Sequence, residues 1–216
     1  MDDNDLRELI EEELSLDPRI NASGIGVAVE NGIVTLSGHV GTYAERVAAE
    51  QCVAGIRSVR GVAQEIEVRY PNHKKIADDE IAARVLKIID WDTTIPSGSI
   101  KVRVHNGGVT LSGEVQWGFE RAAAEHAVQK LGGVTTITNL LTVRGSEVKP
   151  ANIRQRIEQA LLRDANLEAD RIQVAVSGGM VTLTGTVRAW YDRSIAEREA
   201  WLAPGVIKVD NQLTIG

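Results

Sequence analysis

The chain has 216 residues, of which 43% are hydrophobic and 25% charged, and its formal net charge is −6. That composition belongs to a folded globular chain and excludes a disordered one, and no apolar run approaches the ~18 residues of a spanning helix. The acidic excess is confined to one third: residues 1–70 carry a net −7, whereas 71–147 are balanced and 148–216 carry +1.

No third is strongly basic, so the electrostatic footprint of nucleic-acid binding is missing and no such partner is expected. A single cysteine, Cys52, excludes an intrachain disulfide and a cysteine-based zinc site. The start, Met1-Asp2-Asp3-Asn4-Asp5, lacks the basic and apolar regions of a secretory signal. The expectation as written is a cytoplasmic protein, or a periplasmic one if a signal was removed.

In chain order, Leu6, Leu9, Ile10 and Leu14 recur at helical spacing and predict a first helix. Ile25, Val27 and Val29 alternate as a strand does, Asn31-Gly32 is a hairpin-turn pair, and Val34-Thr35-Leu36-Ser37-Gly38 begins a second strand. An alanine-rich helix follows around Arg46–Val53, and Val62, Ile66 and Val68 form a closing strand. The same order then returns twice. Val109-Thr110-Leu111-Ser112-Gly113 and Val181-Thr182-Leu183-Thr184-Gly185 repeat the second strand. Residues 6–68, 81–143 and 153–215 align without a gap, and 14 of the 63 positions are identical in all three. Duplication of one unit is the economical explanation. The predicted class is α+β, with three tandem αββαβ units at 1–70, 76–145 and 148–216. Each is a small three-stranded sheet with two helices on one face. The linkers carry Pro71, His73-Lys74-Lys75, Gly145 and Pro150.

Gly38, Gly113 and Gly185 are structural glycines: a strand glycine implies close approach, here expected from a helix at Ala49, Ala124 and Ala196. Ser37, Ser112 and Thr184 precede the invariant glycines, but no glycine stands two residues before them and no histidine partner recurs in the repeat, so they make no nucleophile elbow. His39, His105 and His126 do not recur at aligned positions, so neither a catalytic residue nor a metal or cofactor is expected. Arg46/Glu50, Arg121/Glu125 and Arg193/Glu197 stand four apart on a helix, as exposed ion pairs do; the arginines are also candidate contacts to an anionic headgroup. Asp17, Asp92 and Asp164 follow the first helix of each unit, where a cap or Asx-turn is ordinary. Five of the eight aromatic residues fall in one aligned window before the second helix: Tyr43, Trp117, Phe119, Trp190 and Tyr191. They suit either a binding surface of interfacial character or a staple onto the helix's first turn.

The run V-x-V-x-N-G-x-V-T-L-S-G, followed by E-R-x-A-A-E and G-V-x-x-I-x-N-x-L-x-V, resembles the BON domain, a family named for bacterial osmotic-stress and nodulation proteins. The second unit keeps Gly133-Val134 and Asn139, the third Gly205-Val206 and Asn211, and the first substitutes Ser58 and Gln64. The resemblance implies a non-enzymatic, stress-associated binding module. Its implied partners are phospholipid or an envelope component, with a potassium-binding or protein-interaction module, self-association included, as the alternative.

Overall fold

A computed structural model describes residues 2–70, 76–144, 150–163 and 167–216. Each unit begins with a helix: α1 (Asp3–Leu16), α3 (Asp78–Trp91) and α5 (Pro150–Arg163). The helical spacing read from the sequence is the buried stripe, Leu6–Ile10–Leu14, Ile81–Val85–Ile89 and Ile153–Ile157–Leu161. The Asp2 carboxylate starts α1 by accepting from the amides of Asn4 and Asp5, both at 2.9 Å.

The strands are β1 (Ile25–Glu30), β2 (Ile33–Val40) and β3 (Gly61–Val68); β4 (Ile100–His105), β5 (Gly108–Val115) and β6 (Thr136–Val143); β7 (Ile172–Ser177), β8 (Met180–Val187), β9 (Lys208–Asn211) and β10 (Thr214–Ile215). The second helices are α2 (Tyr43–Ala54), α4 (Gly118–Gln129) and α6 (Trp190–Leu202), each beginning three residues earlier than the alanine-rich run suggests. The hairpin strands pair antiparallel, and the strand after the second helix returns parallel to the second strand. The order is therefore β1-β2-β3, with the V-T-L-S-G strand in the centre. In the third unit the closing strand is interrupted at Gln212 and Leu213, so β9 and β10 both pair with β8.

The hairpin turns need a left-handed backbone at both central residues, and Asn31 (φ 53°) and Gly32 (φ 75°) supply it. A carboxylate from the first helix braces this turn. Asp3 accepts from the amides of Asn31 at 2.7 Å and Gly32 at 3.1 Å; Asp78 accepts from Asn106 at 2.8 Å and Gly107 at 2.9 Å. The third unit has Pro150 at that position. These contacts join helix start to hairpin tip across 28 residues of chain and are not legible from local pattern.

Three apolar clusters, one per unit, form between helices and sheet. Val34, Leu36 and Val40 of the central strand face Ala49 and Val53 of α2, and the other units repeat this.

The invariant strand glycines are used differently from the expectation. Gly38, Gly113 and Gly185 have φ of 102°, 136° and 121°. A β-carbon on any of them would collide with the carbonyl oxygen of Gly24, Ser99 or Arg171, in the segment leading into the facing strand. The close neighbour is that carbonyl, not the helix alanine. Replacing Gly113 by Val therefore combines overpacking with left-handed strain. We expect a loss of about 1–3 kcal/mol from the packing alone, read by urea denaturation. A Gly113→Val chain as stable as the parent would refute the close approach.

Candidate functional site

The start of each second helix gathers the residues of interest, and a carboxylate sets it. In α2, Thr42 and Glu45 form a reciprocal capping box: the Glu45 amide donates to Thr42 Oγ1 at 3.1 Å and the Thr42 amide to Glu45 Oε2 at 2.9 Å. In α4, Glu120 accepts from the amides of Gln116 at 2.7 Å and Trp117 at 3.0 Å. In α6, Asp192 accepts from Ala189 at 3.0 Å. Glu120 and Asp192 are the two buried charged residues among those described, and these bonds compensate their burial. The sequence carries this signal as an acidic residue at one aligned position in every unit.

The aromatic window then divides. Tyr43 is half-buried and packs against the apolar cluster of the second unit, not its own. Tyr70, at the end of the first unit, donates its hydroxyl to the Val134 carbonyl at 3.1 Å. Burial pushes both phenols up, opposed at Tyr43 by the Arg46 charge and at Tyr70 by backbone bonds to Gly133 and Tyr43. Two tyrosines of the first unit thus clasp the second. On the other side of the second unit, Gly118 lies against the backbone and indole of Trp201. Trp117 and Trp190 are half-buried, while Phe119 and Tyr191 remain 41% and 40% exposed.

The invariant arginines stack on rings. Arg46 lies 5.6 Å from the Tyr43 centroid, Arg121 5.2 Å from Trp201 of the third unit, and Arg193 4.6 Å from Trp190. In the second and third units the glutamates expected to pair with them are engaged elsewhere. Asn139 Nδ2 donates to the Arg121 carbonyl at 3.1 Å and to Glu125 at 3.0 Å, while the Leu141 amide donates to Asn139 Oδ1 at 3.2 Å. Asn211 repeats all three bonds with Arg193, Glu197 and Leu213. The helix is thereby bolted to the closing strand. In the first unit Gln64 accepts from the Ile66 amide at 3.0 Å, but its buried Nε2 has no partner.

Asp17 and Asp92 each close an Asx-turn, accepting from Arg19 and Thr94 amides at 2.9 Å. The Arg19 and Thr94 side chains beside them hold both carboxyls below the usual range. Asp164 lies outside the described residues. Cys52 is half-buried in α2, and burial pushes its thiol up, which suits packing rather than nucleophilic attack. Among the described residues no group of three metal-ligating side chains occurs. A cleft of about 520 Å³ lies between the first two units, bordered by Tyr70, Ile76, Asp78, Gly107 and Thr135.

Sequence reasoning passed over Trp91. It ends α3 with 79% of its surface exposed, at the position of the equally unburied Leu16 in the first unit. Its place outside the helical apolar stripe is the signal that could have found it.

The BON domain profile matches residues 2–70, 77–145 and 150–216. The chain belongs to the BON family. Osmotically-inducible protein Y of Escherichia coli (strain K12) is 29% identical over 152 residues, covering 67% of this chain and 74% of that protein. Two solved structures of CdsD, a structural protein of the type III secretion system of Chlamydia trachomatis, also align. They cover 98% and 100% of this chain and 92% and 100% of theirs, at 16% identity and a TM-score of 0.27. Within the BON units of this chain, the closing N-x-L signature is the bolt described above, and Gln64, which stands in its place in the first unit, leaves a buried Nε2 unpaired.

Two predictions follow from bolt and clasp. Gln64→Asn gives the first unit the two bonds it lacks, from the side-chain amide to the Arg46 carbonyl and to Glu50, and should raise its stability by ~1 kcal/mol, whereas Asn139→Ala should lower that of the second by about 1–3 kcal/mol. Denaturation of both variants checks this, and no gain at Gln64 would contradict it. The phenols give a pH window. They keep their protons to higher pH when folded than when unfolded, so their contribution is complete below about pH 10 and is lost as pH rises through the folded values. The Tyr43→Phe, Tyr70→Phe double variant should therefore lose less stability than the parent as pH rises above about 10, read by denaturation across that range.

Proposed function

We propose that this chain is a non-enzymatic, osmotic-stress-associated binding protein that attaches to phospholipid or another envelope surface through exposed aromatic side chains. The observation carrying this reading is the division of the window. Tyr43 serves the contact between units, whereas Phe119 and Tyr191 keep about two-fifths of their surface in water at the starts of two successive second helices. Trp91 adds a more exposed ring on the same central unit. Aromatic rings with polar surroundings suit the headgroup region of a bilayer. The stress association rests on membership of the BON family and on similarity to a protein named as osmotically inducible.

Charge shapes the preference. The first unit, at −7, is repelled by anionic lipid, while the second and third are nearly neutral. Neutral or mildly anionic vesicles are the favoured surface.

The test is partition to such vesicles. Tryptophan emission should move to the blue as Trp91 enters the interface, and Phe119→Ala, Tyr191→Ala and Trp91→Ala should each weaken partition. Their stability should change by about 0.5 kcal/mol or less, as at other exposed sites. Calorimetry with potassium and sodium chloride runs beside it. Potassium heat without vesicle binding would replace the lipid reading with an ion-binding one.

A further inference from the structure

The geometry points to a closed ring of the three units, made by one contact used three times: the start of each second helix seats on the last turn of the next. Two of these contacts are visible in residues. The start of α2 meets the end of α4, where Thr42, Ala44 and Glu45 share a cleft with Gln129 and Lys130. The start of α4 meets the end of α6, where Gly118 abuts Trp201. By the repeat, Tyr43, Gly118 and Trp190 are equivalent, as are Ala54, Gln129 and Trp201. The third contact would join the start of α6 to the end of α2, placing Trp190 on Ala54.

Three observations support that closure. Helix α6 approaches α2 as well as α4. Ala54 is only 6% exposed, yet it is no member of the first unit's apolar cluster. Trp190 is half-buried, yet it packs on no cluster of its own unit. Each is covered by something outside its own core, and the repeat sets them opposite one another.

The partners are matched in size. Glycine faces tryptophan at Gly118 and Trp201, tryptophan faces alanine at Trp190 and Ala54, and tyrosine faces glutamine at Tyr43 and Gln129. Each contact carries one invariant arginine on its ring: Arg46 on Tyr43, Arg121 on Trp201 and Arg193 on Trp190. The arginines are thus seam residues, with a stack worth most where it is desolvated. The partner that this surface fits is the neighbouring unit of the same chain.

Cross-linking tests the ring on the full chain. In a Cys52→Ser background, Ala54→Cys with Trp190→Cys should form an intrachain bismaleimide link far faster than Ala54→Cys with Arg103→Cys, whose second cysteine stands on a strand of the middle unit. Monomer mass with altered gel mobility identifies the link. A second measurement leaves Trp190 in place: Ala54→Arg should expose its indole, read as increased acrylamide quenching of the signal that Trp190→Phe removes. Equal linking of the two pairs, or a Trp190 signal indifferent to Ala54→Arg, would overturn the ring.

Discussion

Each unit spans about 63 aligned residues, a size at which a single core barely offsets the entropy of folding. Everything else in the molecule is arranged around that shortage. The central strand is buried from one side by two helices, so a small set of residues such as Val34, Leu36 and Ala49 serves the whole unit. What one core cannot supply is added at its borders. A side chain that would be surface in an isolated unit, Tyr43, finishes the core of the next, and Tyr70 pins the junction with a hydrogen bond. The array behaves as linked small domains do when stability is shared between units and interfaces.

The fold was legible because its signals are local and triplicated. Alternating strands, Asn-Gly turns and the helical stripe at Leu6, Ile10 and Leu14 all declare themselves within a few residues, and agreement among three copies removes ambiguity. The carbonyl beside Gly38 was not legible in the same way. A strand glycine announces that something comes close, but whether a helix or the facing strand does so depends on register. The Arg-to-Glu spacing misled for a related reason. On an isolated helix it forms an ion pair; in the unit, Asn139 arrives from a strand 14 residues beyond Glu125 and takes the carboxylate first. The aromatic window was found as a window, but its division between seam and surface depends on unit packing, which no local pattern encodes.

The second helix concentrates these demands. Its first turn is fixed by a carboxylate cap, its middle packs through Ala49, Ala124 or Ala196, and in two units an asparagine ties its backbone to the closing strand. Small residues on the inner face let the helix lie close to the sheet. Its outer end is free to differ between units. Invariance on one side and variety on the other is how one duplicated element comes to serve three separate junctions.

The glycine at Gly118 has a consequence for the gene as well as for the protein. Tandem repeats invite unequal recombination, which deletes or adds a unit in frame. Loss of the middle unit would bring the Tyr43 helix start to the Trp201 helix end, two large rings where the present chain has a glycine to receive one of them. A fourth unit would likewise part a matched pair. Side-chain volume at the junction of Gly118 with Trp201 is thus matched to the present order of units.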